Sequence, residues 1–146
     1  MYDCLLIAKT LLKLTAREDK VLTPMQLIKL VYLSHGWALG LYGRPLIKQD
    51  VEAWKYGPVI PELYQAIKQY RSSPVKEISC KEEKIDERFI DVIDQVYKIY
   101  GSFTGIELSM LTHEKNSPWE ITWNSGKSII SNDLIAYYYK KMNSQS

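Results

Sequence analysis

The chain has 146 residues, enough for one domain that buries a core without metal or disulfide support. A hydrophobic content of 46%, a charged content of 25% and a formal net charge of +2 place it among ordinary globular proteins and argue against strong non-specific nucleic-acid binding. Two cysteines, Cys4 and Cys80, make no disulfide framework and no Cys-x-x-Cys metal or redox motif, which points to a reducing, cytoplasmic setting.

The charge is uneven. Residues 1–73 hold ten Lys/Arg against six Asp/Glu, and residues 74–146 hold nine against eleven. The first half therefore leans mildly toward an acidic partner. The apolar N-terminus is interrupted by Asp3, Lys9 and Lys13. It falls short of the roughly 18–20 apolar residues of a membrane span and lacks the basic start and cleavage site of a signal peptide. Eleven tyrosines and four tryptophans stand against two phenylalanines. Such amphipathic rings suit a recognition surface as well as a core.

Helical spacing predicts a first helix over residues 3–18, with Leu5, Leu6, Ala8, Leu12, Thr15 and Ala16 on its apolar face. Thr23-Pro24-Met25-Gln26 is a helix start, with a capping threonine, proline at the first helical position and glutamine at the third. That helix runs to about Tyr42 and ends at Gly43-Arg44-Pro45. Gly36 and Gly40 lie four apart on one face, a groove of small residues that admits another helix. Leu46-Ile47 and residues 51–54 read as short β segments.

Residues 51–64 carry Trp54, Tyr56, Gly57-Pro58, Pro61 and Tyr64. They read as strand, sharp turn and helix start, with Gly57-Pro58 breaking the regular structure. A helix over residues 61–70 and a short strand over residues 75–79 follow. The charged residues 81–88 are expected to open a helix that reaches Tyr100. Thr104-Gly-Ile-Glu107 is a second capping box. Asn116-Ser117-Pro118-Trp119 leads into a short helix or turn, and Ser131 caps a last helix that ends in a polar tail. The fold class is mainly α (α+β), a compact bundle of about six helices with a small β element.

Catalytic patterns fail on spacing. Ser125-Gly-Lys-Ser128 imitates the end of a phosphate loop, but Ile121 stands where the first glycine belongs. His113-Glu114 lacks the second histidine of a helical zinc site. No cofactor or metal site is expected, and a small hydrolase would need His113 to meet a carboxylate. A helix-turn-helix over residues 23–43 would need polar side chains on a helix whose single charge is Lys29.

Three segments carry a resemblance. They are Leu27-Ile-Lys29-Leu-Val-Tyr32 with His35-Gly-Trp37 and Gly43-Arg-Pro-Leu46; Glu52-Ala-Trp-Lys-Tyr-Gly-Pro-Val59 with Pro61 and Tyr64; and Leu108-Ser109 through Thr112-His113 to Ser117-Pro118-Trp119. Over residues 4–125 the chain resembles the Panacea-domain family, also described as SocA-like antitoxins or phage-associated GepA-like proteins. The resemblance implies a mainly helical domain with a small β element. It also implies a non-enzymatic antitoxin encoded beside a toxin protein that it binds and neutralises. The SocA-type member is described as a proteolytic adaptor that delivers its toxin to the ClpXP protease. The alternative is a nucleic-acid-binding regulator of its own operon or of a prophage gene.

The expected partner-binding residues are Lys29, Tyr32, Trp54, Tyr56, Gly57, Pro58, Tyr64, His113 and Trp119. For Trp54 and Trp119 the other role is core packing, and for Gly57-Pro58 a structural turn. Lys29 on an apolar helix either snorkels, pairs, or meets a partner.

Overall fold

The computed structural model describes residues 1–145. Its helices are α1 Cys4–Arg17, α2 Pro24–Tyr42, α3 Pro61–Ile67, α4 Glu87–Tyr100, α5 Gly105–Thr112, α6 Pro118–Asn124 and α7 Asn132–Ser144. The strands β1 Val51–Trp54, β2 Gly57–Val59 and β3 Ile129–Ile130 form one small antiparallel sheet in the order β2-β1-β3. The fold is mainly α with a small β element. Ser146, the last residue of the expected tail, lies outside the described residues.

Helix α2 is the axis of the molecule. Every residue from Leu27 to Gly36 is buried, as expected of a helix that is apolar on all sides. Helices α1, α4, α5 and α7 all pack on it. Its start is the expected capping box: the Gln26 N–H reaches Thr23 Oγ1 at 3.4 Å and the Thr23 N–H reaches Gln26 Oε1 at 2.9 Å. Gln26 also donates to the Phe103 carbonyl at 2.9 Å, which ties this cap to the turn before α5. Gly43 ends the helix at φ +66°, a conformation that costs glycine little. Burial on all sides removes α2 as a recognition helix for DNA.

The Gly36/Gly40 notch receives α7. A Cβ on Gly36 would stand 2.5 Å from Tyr139 Cε2, and one on Gly40 would stand 2.8 Å from the Tyr139 carbonyl carbon. Only glycine lets the two backbones come this close. The buried Tyr139 ring then meets Trp37 edge-on, with centroids 5.2 Å apart.

His35 is the polar bolt of the core. Its Nδ1 accepts from the N–H groups of Leu46 and Ile47 at 3.2 and 3.3 Å. Nδ1 is thus the acceptor, so Nε2 carries the proton and donates to Asn132 Oδ1 at 2.9 Å. One neutral ring joins α2, the chain before β1, and the first turn of α7.

Several expectations need correction. Gly57-Pro58 does not break the β structure; it begins β2, and the two-residue turn is Lys55-Tyr56. Residues 75–79 are not a strand. Val75 makes a single backbone bond to the Leu22 carbonyl at 2.8 Å, and Val75, Ile78 and Ile85 anchor an extended segment by burial. The charged residues 81–86 are not helical. Asp86 caps Arg88 N–H at 2.9 Å, so α4 begins at Glu87. The helix expected over residues 61–70 is α up to Ile67 and 3-10 from Lys68 to Tyr70.

Two predictions follow from the packing of α2. Gly40→Ala should cost about 1–3 kcal/mol of stability in urea unfolding, because the obstacle is backbone that cannot rotate away; an unchanged midpoint would mean that α7 does not dock as described. Burial lowers the His35 pKa from 6.5 to about 4. The unfolded chain therefore binds a proton between those values that the folded chain refuses. Stability from this source is full above about pH 6.5 and is lost as the pH falls toward 4. A His35→Ala variant, less stable at neutral pH, should show a shallower loss over that window in denaturant titrations.

Candidate functional site: an aromatic groove beside a buried lysine

The β1–β2 hairpin is short, and its tip is held by side chains from three helices. Lys29 Nζ of α2 donates to the Pro58 carbonyl at 2.8 Å. Ser109 Oγ of α5 donates to the Tyr56 carbonyl. Trp119 Nε1 of α6 donates to the Trp54 carbonyl at 2.6 Å. The strand register explains why the Pro58 oxygen is free for Lys29. Pro58 faces Ala53, and the Ala53 N–H turns to the other side of β1, bonding Ser128 O at 2.7 Å. Pro58 therefore presents its carbonyl outward from edge strand β2, where its missing N–H breaks no ladder bond.

Gly57 fits the same constraint. It sits at φ +116°, and a Cβ there would stand 3.0 Å from Lys29 Nζ. The backbone conformation favours glycine, and an added Cβ would also crowd the amine beneath it.

Lys29 is 3% exposed and, among the described residues, has no carboxylate partner. Desolvation pushes its pKa down to about 7, while the Pro58 carbonyl, an acceptor for either protonation state, favours the cation.

The expected partner-binding residues divide. Tyr56 is exposed, and Trp54, Tyr64 and His113 are half-buried. Lys29, Gly57, Pro58 and Trp119 are buried and serve as framework. Tyr32 is a correction: it is fully buried, its ring edge-on to Tyr139 with centroids 6.3 Å apart, so it presents nothing to a partner. Trp54 and Tyr64 pack edge to face at 5.1 Å, and the Trp54 indole N–H donates to Glu52 Oε1 at 3.0 Å. Trp119 stacks on Trp123 at 5.3 Å and meets the His113 ring at 5.2 Å.

These elements enclose a groove of about 430 Å³. Trp54, Tyr56 and Tyr64 line it together with Met25, Ile28 and Val59, and Lys29, Lys55 and Arg71 are its charged members. A second hollow of about 330 Å³ shares Met25 and Tyr56 and extends over Ile106 and Met110 of α5. Met25, Arg71, Ile106 and Met110 escaped the sequence reading. Ile106 and Met110 are four apart on a short helix, a spacing that signals a face but not whether it is inside or outside.

Catalytic and metal chemistry find little here. His113 contacts Ser109 and Trp119 and, among the described residues, no carboxylate. Asp3, Cys4 and Glu62 bring three ligand-type atoms within 4.8 Å of one another. The Gln49 amide already bridges that cluster: it donates to Asp3 at 3.1 Å and to Glu62, and accepts the Cys4 N–H at 2.9 Å. Burial and the two carboxylates raise the Cys4 thiol pKa, which opposes the thiolate a metal needs. No helix among the described residues is long and apolar enough to cross a membrane.

Residues 27–120 match the family described as antitoxin SocA-like, Panacea domain. The match takes in the hairpin, α3, α5 and α2 from Leu27 onward, which supply most of the groove lining, and the start of α6, whose Trp119 holds the hairpin; Pro24 and Met25 lie outside it. The chain belongs to the SocA-like, Panacea-domain antitoxin family. It is similar to antitoxin SocA of Caulobacter vibrioides (strain NA1000 / CB15N), with 27% identity over 133 residues, 84% of this chain and 71% of that protein. No solved structure matches. In this SocA-like chain Lys29 lies under the hairpin as a structural donor.

The titration of Lys29 gives the site its test. Above about pH 7 the unfolded chain keeps a proton on Lys29 that the folded chain releases, so stability from this source should rise with pH from about 7 toward 10.5. In Lys29→Met that rise should disappear from urea midpoints; an unchanged slope would show that Lys29 stays charged in the fold.

Proposed function

We propose that this protein is a non-enzymatic antitoxin that binds and neutralises a cognate toxin protein through the aromatic groove and the adjoining α5 face. What supports the reading is the exposure of large apolar side chains around a concavity built mostly within the family-matching residues 27–120. Tyr56 is 63% exposed, Ile106 70% and Met110 63%, with Met25 at 39% between the two hollows. Contiguous apolar surface of this kind is costly in water and marks an interaction site. Aromatic and methionine side chains are well suited to it. Rings lose little rotamer entropy on docking, and methionine adapts to uneven partners.

Neutralisation of this sort needs a complementary surface rather than a reactive group. The toxin is either held in an inactive complex or handed on to the ClpXP protease, the adaptor mode implied by the resemblance to SocA-type antitoxins. Protection that vanishes together with toxin loss in a ClpXP-deficient host identifies the adaptor. Protection without toxin loss identifies sequestration.

The test is co-expression with the product of the adjacent gene. The chain should protect cells from that product and co-purify with it. Ile106→Asp with Met110→Asp should weaken the complex by tenfold or more and leave the circular dichroism and melting temperature near those of wild type. Ile99→Asp, on α4 and lining neither hollow, should protect as well as wild type. A harmless neighbour, or one that stays lethal and unbound beside the wild-type chain, would overturn the reading.

A further inference from the structure

The charges of the main groove are one-sided. Its charged lining residues are Lys29, Lys55 and Arg71, and no Asp or Glu lines it. Lys55 and Arg71 are exposed, and neither forms an ion pair among the described residues. The nearby acid, Glu52, accepts the Trp54 indole N–H and does not line the groove. Some cations elsewhere find carboxylates, as Lys9 does with Glu82 at 2.6 Å and Lys98 with Asp94 at 2.9 Å, and others such as Arg44 and Lys127 form no ion pair among the described residues, so what marks the groove is the absence of an acid from its lining.

Of the two exposed groove cations, Lys55 has a ring contact and Arg71 a constrained backbone. Lys55 Nζ lies 5.5 Å from the centroid of the Tyr56 ring, within reach of a cation–π attraction. Arg71 sits at φ 54° and ψ −113°, a backbone conformation that side-chain-bearing residues rarely adopt. Its N–H bonds the Lys68 carbonyl at 3.0 Å, and the next turn closes from Ser73 N–H to the Tyr70 carbonyl at 2.8 Å. Glycine would suit that backbone better. Strain retained at a groove residue is the kind of local cost that function sustains.

We propose that the groove takes an acidic, apolar segment of the toxin, with its carboxylates on Lys55 and Arg71 and its apolar side chains against Trp54, Tyr64 and Met25. This rests on the antitoxin reading and adds the chemistry of the partner. A nucleic acid is the other anion to weigh. Its phosphates would need a row of cations, and two exposed ones in a groove lined by Met25, Ile28 and Val59 would leave apolar surface uncovered. The excess of basic over acidic residues in the first half of the chain is in keeping with an acidic protein partner.

The test uses three probes on the full chain. They are a short peptide alternating Glu with Leu and Phe, its counterpart with Lys for Glu, and an oligothymidylate. Binding is followed by NMR shifts of the Met25 methyl and the Trp54 indole. The acidic peptide should bind and move both signals, weaken as salt rises, and lose on the order of tenfold in affinity in Lys55→Glu/Arg71→Glu. Arg71→Gly should lower peptide affinity while raising the melting temperature, since it removes the cation and relieves the backbone. That pairing separates a binding role from a structural one.

In co-expression, the double charge reversal should lose toxin protection that wild type retains. Equal or better binding of the Lys peptide or the oligothymidylate would overturn the proposal, as would undiminished protection by the double variant. Failure of the wild-type chain to protect is a different outcome and overturns the antitoxin reading beneath it.

Discussion

The groove depends on three carbonyl oxygens at the hairpin tip being claimed from outside the sheet. A two-stranded hairpin this short is at best marginal on its own in water. Here Lys29, Ser109 and Trp119 reach the carbonyls of Pro58, Tyr56 and Trp54 from α2, α5 and α6. Each bond adds on the order of 1 kcal/mol, and leaving a buried partner unmet costs more than that. Pinning the tip to three helices fixes the backbone that carries the Trp54 and Tyr56 rings, and Trp54 meets Tyr64 of α3 across the groove wall. It also shields the outer edge of β2 from pairing with another chain.

The same logic runs through the rest of α2. An apolar helix surrounded by others is expected to satisfy the polar groups it carries, and on α2 most are met, the buried Tyr32 hydroxyl excepted. Ser34 returns its hydroxyl to the Leu30 carbonyl at 2.8 Å, and His35 serves two backbone donors and Asn132. Lys29 is the demanding case, because an amine in this setting is stable only with a fixed acceptor. Desolvation and the Pro58 carbonyl pull its protonation in opposite directions. The hairpin thus satisfies Lys29 as much as Lys29 positions the hairpin.

Much of this fold was legible because its signals are local. The Thr23/Gln26 and Thr104/Glu107 boxes, the Gly43 stop and the Gly36/Gly40 notch each depend on a few adjacent positions, and each stands where its spacing predicts. What escaped depends on neighbours distant in sequence. Gly57-Pro58 reads as a breaker, yet an edge strand with its carbonyl turned outward tolerates proline. Ile129-Ile130 is too short to announce itself and is a strand only because β1 lies beside it. Residues 75–79 look like a strand, but they bury Val75 and Ile78 without a ladder. In the site, the cluster of Trp54, Tyr56 and Tyr64 was visible, and the burial of Tyr32 was not. Its helical face points at Tyr139, more than a hundred residues away.

The residues that carry the family resemblance fall on both sides of the surface, with Lys55 and Tyr56 exposed in the same segment that buries Gly57 and Pro58. Lys29, His35, Gly57, Pro58 and Trp119 are buried and fix the hairpin against the helices. Met25, Lys55, Tyr56, Arg71, Ile106 and Met110 are exposed beside them and carry little of the fold. A substitution in the first set changes the shape of the groove, because each of those groups meets a fixed backbone atom or packed ring. A substitution in the second set changes only what the groove offers, because those side chains end in solvent. The scaffold can thus hold its geometry whatever side chains its concave face carries, which physically separates the shape of the groove from its surface chemistry.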